Sequence, residues 1–260
     1  MVSEFTRNME QNEDELNKIT ESRASLKARM IEEENDDDTQ DDSFLHPAQM
    51  KLPSNLLQQY KDIESQIEAR IDTWDFNTLR IEDHPILYIS IWIFEKIDLL
   101  SIYNFDAKLF NEYMLTIEKN YHQENPYHNR FHGADVLQAV YYLSNLDSLL
   151  TMFSDLDLLT LYFAAAIHDV DHPGFNNNFL VSTDNPLAIL YNNRSVLENH
   201  HVSFAFRIHE DIPVWSQLPR FQFRKFRDWS IELVIATDFS QHFGVMGEFK
   251  SKVAIMLSFL

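Results

Sequence analysis

Two short stretches concentrate the residue types that hold metals and move protons. They are Pro126-Tyr127-His128-Asn129-Arg130-Phe131-His132-Gly133-Ala134-Asp135 and His168-Asp169-Val170-Asp171-His172-Pro173-Gly174, and they carry four of the chain's eleven histidines. Imidazole nitrogen and carboxylate oxygen suit a borderline divalent cation such as zinc. On a helix from His128 to about Leu146, His128, His132 and Asp135 would share one face. His168 and Asp169 close a mainly apolar run from Leu156 to Ile167. A bare carboxylate ending a buried segment costs on the order of several kcal/mol or shifts its pKa. A metal removes that penalty.

The minimal constellation is therefore His132, His168 and Asp169 around one metal, with His128 close by but freer. Three N/O ligands leave positions open for water, and a bound metal brings the pKa of that water toward neutrality. If Asp169 also reaches a second cation, two ions can hold a phosphoryl group for in-line displacement. A nearby histidine is suited to protonate the leaving oxygen. Glu198, in Leu197-Glu198-Asn199-His200-His201, can accept a hydrogen bond from the attacking water. Asp135, Asp171, His172, His200 and His201 are suited to orient the ligands. The other five histidines, His46, His84, His122, His209 and His242, read as ordinary core or surface residues.

The elements that must position these residues read as helices. Helical spacing or apolar content marks 57–71, 86–100, 106–121, 128–146, 155–169 and 195–207, with a short helix from Pro186 to Tyr191. Pro173 to Asn178 reads as a helix stop and turn. Arg220, Arg224, Lys225 and Arg227, interleaved with Phe221, Phe223 and Phe226, read as a helix start with aromatic core anchors rather than a phosphate or calmodulin-like contact. Ile231–Phe239 and Val245–Leu260 are two further helical stretches. Nothing alternates like a strand, and only four glycines occur in 260 residues. The expected fold is all-α.

Ahead of this domain, Phe5, Met9, Leu16, Ile19, Leu26 and Met30 share a heptad seam that also carries Asn12 and Arg23. That seam suits a partner-binding helix or a homodimer; the plainer reading is a solvated helix. Residues 32–42 are mostly acidic and read as a disordered linker, so the division is 1–50 as extension and 51–260 as domain. The formal charge of -20 argues against nucleic acid as a general partner. The absence of cysteine excludes disulfides, thiolate metal sites and thiol catalysis. No signal peptide or membrane span is apparent, which makes the cytoplasm the expected compartment.

Tyr127-His128-Asn129 with His132 and Asp135, then His168 to Gly174, Tyr191-Asn192, Ser195 to His201 and Ala236-Thr237-Asp238 resemble the class I cyclic-nucleotide phosphodiesterases. The resemblance runs from about Trp74 to Asp238. It implies a compact multi-helix HD-type catalytic domain that hydrolyses a 3′,5′-cyclic nucleotide, cAMP or cGMP, to the 5′-monophosphate. It further implies His132, His168 and Asp169 as zinc ligands, and Asp169 as the bridge to a second ion, Mg2+ or Mn2+. His128 becomes the general acid, and Tyr127 and Asn192 lie near the substrate. Asn193 stands where the family usually has aspartate, and Gly133 where it commonly has alanine. The family's further metal-ligating aspartate and purine-binding glutamine lie beyond Asp238 and have no counterpart here, so the domain is expected to be C-terminally incomplete. A non-catalytic, metal-binding regulatory relative is the alternative, and an HD-type hydrolase of another phosphate ester is a third reading.

Overall fold

The computed structural model describes residues 52–257, apart from 147, 148, 150 and 151. The N-terminal heptad seam, the homodimer it suggested and the acidic linker lie outside the described residues. Eleven α-helices follow in order. They are α1 Ser54–Glu68, α2 Pro85–Lys96, α3 Leu99–Ile102, α4 Ala107–Lys119, α5 Arg130–Ser144, α6 Asp155–Ile167, α7 Asn177–Ser182, α8 Pro186–Leu190, α9 Val196–Asp211, α10 Arg220–Ile235 and α11 His242–Leu257. There is no strand among the described residues, so the fold is all-α as expected. No helix of the described residues is long and apolar enough to cross a membrane.

Two nearly all-apolar helices form the centre. α2 opens on Pro85, whose fixed φ suits the first helical position, and buries every residue except Lys96. α6 opens on a capping box between Ser154 and Asp157 and buries most of Leu158 to Ile167. α5 packs between these two, α4 lies on α2, and α10 packs on α6 and α9. Trp215 fills the middle, ringed by Phe105, Tyr113, Phe163 and Phe226 at 5.1–5.5 Å between centroids. α11 packs chiefly on the 3-10 turn Phe239–Gln241 and leaves Phe243 and Phe249 exposed.

Several boundaries differ from the sequence expectation, each for a local reason. The 86–100 stretch breaks in two because Asp98 turns left-handed at φ 58°. The 128–146 helix starts only at Arg130, since Asn129 is extended and its Oδ1 accepts the Phe131 N–H. His128 therefore precedes the helix instead of sharing its face. The turn after Gly174 holds a short helix, α7, capped by the Asn176 side chain. Ser195 precedes α9 without capping it, and its hydroxyl donates to Asp238 at 2.7 Å. The basic cluster and the Ile231 stretch form one helix, α10.

Candidate active site

The site begins where α6 ends. The Tyr121 hydroxyl donates to the Ala166 carbonyl at 3.0 Å and accepts the Asp169 N–H at 3.3 Å. One phenol thus serves backbone groups that the helix end leaves unpaired. His168, at the C-cap, donates from Nδ1 to the Ala165 carbonyl at 2.9 Å. Its Nε2 lone pair then faces His132 Nε2, on the first turn of α5, at 3.1 Å. Asp169 Oδ2 lies 3.2 Å from both nitrogens. Tetrahedral ligands about 2.0–2.1 Å from zinc stand about 3.3 Å apart, so this triangle has the dimensions of three ligands around one ion. Two nitrogens and a carboxylate are also the donor set zinc takes.

Asp169 faces a second group. Its carboxylate, His172 and His201 each bring a ligand atom within 4.8 Å of the others. His201 donates from Nδ1 to the Val170 carbonyl at 2.6 Å. Its Nε2 lies 3.7 Å from Asp169 Oδ1 and is buried with no hydrogen-bond partner. A buried, unpartnered nitrogen calls for a ligand or water. His172 accepts the Gly174 N–H at Nδ1 (3.0 Å), so the neutral ring carries its proton on Nε2. The His128 ring stacks on His172 at 4.0 Å.

Side chains the motifs did not single out hold these rings. Asn125 donates to the carbonyls of His128 (3.1 Å) and His172 (2.8 Å) and so joins the two loops. Gly174 sits at φ 83°, and a Cβ there would lie 2.7 Å from Asn125 Oδ1. Only glycine meets both constraints. Asp171, at φ 59°, donates its N–H to the Asn120 carbonyl, while its carboxylate accepts from His122 and His200 at 2.8 Å each. His122 had read as an ordinary histidine; no spacing rule links it to position 171. Asn177 donates to Glu198 at 2.9 Å and accepts the Leu197 N–H, fixing the start of α9.

The remaining expected residues are more loosely connected. Tyr127 is exposed, with its ring 4.5 Å from His132 and 5.0 Å from His128. Asn192 is exposed and left-handed, followed by a left-handed Asn193. Asp135 is exposed on α5 and bonds to none of the histidines. Gly133 has a packing reason that propensity did not suggest. A Cβ there would meet Ile86 and the Tyr121 ring at 2.9 Å.

Burial and charge set the proton affinities. Burial pulls the imidazoles of His201 and His172 down to about 3 and about 4, with neighbouring histidines adding to the effect. Burial also lowers His128, partly offset by Asp169. For Asp169 burial acts upward, but the bonds from His132 and His168 outweigh it and hold the carboxyl far below its usual range. His168 is the converse: burial acts downward, yet the bond and charge of Asp169 leave it raised. Imidazole and carboxylate bind a cation only when deprotonated, so metal affinity would fall in acid. Glu198 is raised by burial, with the Asn177 bond opposing.

An all-helical domain thus gathers histidines and one aspartate at a helix end, where they could hold a metal ion, with a further histidine stacked alongside. Residues 127–257 match the 3'5'-cyclic nucleotide phosphodiesterase family, and the chain belongs to that family. It is 35% identical over 201 residues to a mouse 3',5'-cyclic-AMP phosphodiesterase 4C, covering 74% of this chain and 29% of that relative. The rat protein of the same name is 34% identical, with 74% and 38% covered. A Drosophila melanogaster 3',5'-cyclic-AMP phosphodiesterase, isoform F, is 35% identical over 191 residues, covering 71% and 29%. The chain thus spans about a third of the curated relatives it matches. Among solved structures, the phosphodiesterase domain of a Salpingoeca rosetta rhodopsin phosphodiesterase superposes with a TM-score of 0.66 at 30% identity, covering 73% of this chain and 58% of that one.

Proposed function

We propose that this chain hydrolyses a 3',5'-cyclic nucleotide to the 5'-monophosphate, with cAMP the first substrate to test because the relatives carry that name. The observation that carries the reading is the triangle of His132 Nε2, His168 Nε2 and Asp169 Oδ2, with edges of 3.1–3.2 Å. These three residues would hold a tight-site metal, Zn2+ by donor type. Asp169 would extend to a second ion, Mg2+ or Mn2+, beside His172 and His201. When bound, such ions supply Lewis acidity and make a water acidic enough to attack at neutral pH.

The chain's own residues do the rest. His128, stacked on His172 and held through Asn125, gives its proton to the 3'-oxygen as the P–O3' bond breaks. Burial lowers the proton affinity of His128, and the charge of Asp169 offsets part of that loss. Glu198, oriented by Asn177, accepts a hydrogen bond from the attacking water. Tyr127 and Asn192, both exposed, contact the nucleotide at the mouth.

The test is metal analysis and turnover of cAMP and cGMP by the purified chain, beside Asp169→Asn and His128→Gln. Turnover that requires metal and is lost in both variants supports the proposal. Bound metal with no turnover of either nucleotide, or of other phosphate esters, overturns it in favour of a regulatory role.

A further inference from the structure

The first two turns of α10 carry four cations, Arg220, Arg224, Lys225 and Arg227, against two exposed carboxylates further along the helix, Asp228 and Glu232. This happens in a chain with 41 acidic and 21 basic residues. All four side chains are exposed, and none pairs with a carboxylate of the described residues. Lys225 lies 4.7 Å from the Phe221 ring and 5.5 Å from Trp229, and Arg227 lies 5.2 Å from Phe206. Phe221 itself is 66% exposed. Phe226, Ser230 and Val234 turn inward; Arg227 borders that buried stripe, Arg220 and Arg224 lie beside Arg227, and Lys225 lies further round the exposed side. Arg220 and Arg224 stand one turn apart, where like charges repel. The positive end of the helix dipole adds to the field.

Such a face calls for an extended anionic occupant with some apolar content. The overall charge of -20 disfavours nucleic acid and anionic membrane, which would meet repulsion elsewhere. A complementary segment exists in the same chain. Residues 32–42 carry eight acidic residues and no basic one, with Phe44 just after. From Asp42 to Leu52 the chain spans up to about 35 Å when extended, comparable with the diameter of a domain of this size, about 35–45 Å. Tethering also supplies a high effective concentration.

We propose that the basic, aromatic face of α10 is the docking surface for the acidic segment Glu32–Asp42 of the same chain. The contact is electrostatic and therefore weakens with salt.

Carbodiimide cross-linking of the full chain tests this, because it condenses a carboxylate with a lysine amine to an amide, with net loss of water. Mass spectrometry of the monomer fraction is expected to find Lys225 joined to residues 32–42. Its yield should fall at least about fivefold at ionic strengths near 1 M, where the screening length is about 3 Å. The double variant Arg220→Gln/Arg224→Gln keeps the reporting lysine and should cause a similar drop. A mixture of normal and nitrogen-15-labelled protein should give cross-links of a single isotope. Isotopically mixed links would overturn the proposal in favour of a second copy. Links spread evenly over other exposed lysines such as Lys61 and Lys108, or a yield indifferent to salt and to the arginines, would overturn it outright.

Discussion

Phe163 and Asp169 stand six residues apart, one in the middle of α6 and one just past its end, in surroundings that have little in common. Phe163 lies among the rings of Tyr113, Phe206, Trp215 and Phe226, at 4.8–6.2 Å. Asp169 lies among His132, His168, His172 and His201. The aromatic contacts are complete in themselves, because dispersion and burial need only shape. The histidine contacts are directional. Several of their lone pairs converge on the same space, and one buried nitrogen has no partner. The first region stabilises the fold; the second is an arrangement that could hold a cation. Stability and chemistry are therefore separable along one helix.

The largest expected effect divides the two regions. Phe163→Ala should lower stability by about 3–5 kcal/mol in denaturant titration. Asp169→Asn should reduce turnover about ten-thousandfold and deplete bound metal, while shifting the unfolding of metal-stripped protein far less. Equal destabilisation by both would break the comparison. Next, His128→Gln should lower kcat about a thousandfold with metal content unchanged, measured by elemental analysis beside initial rates. His122→Asn removes a donor to Asp171 without touching a proposed ligand. It should weaken metal affinity about tenfold in calorimetry, sharpening the idea that outer bonds aim the rings.

Two smaller effects follow. His201 and His172 are neutral in the fold, with pKa values of about 3 and about 4, and protonate near 6.5 once unfolded. Between those limits the unfolded state binds more protons, so stability is full above about pH 6.5 and is lost as pH falls. Each such histidine contributes up to about 1.4 kcal/mol per pH unit. Denaturant titration of metal-stripped protein from pH 7 down to 5 should show the decline; a flat profile would contradict neutral burial. Last, Gly133→Ala gains helix propensity but presses on Ile86 and Tyr121. A net loss of about 1 kcal/mol is expected, read as a lower Tm.

Periodicity carried the helices because apolar faces repeat. α2, α4 and α6 fall close to where the pattern put them. Their ends did not follow from pattern, since Asn129, Asp98 and Asn176 act through backbone angles and single hydrogen bonds. The grouping of His132, His168 and Asp169 in space was legible because residue types and apolar flanks share one explanation. His122, Asn125 and Asn177 were not. Each makes its bond across tens of residues, or to a backbone atom, and neither leaves a mark on spacing. Conversely Asp135, which helical spacing favoured, faces outward once His128 lies outside the helix.

The phenol of Tyr121 gives the assembly a hinge pin that does not titrate. Burial lifts its pKa well above the usual phenol value of about 10, so it stays a neutral hydroxyl through the neutral and acid range. Acid can loosen the imidazoles and displace a bound cation. The bracket that turns the end of α6 toward them is left intact, so a site emptied by acid should refill on neutralisation without refolding.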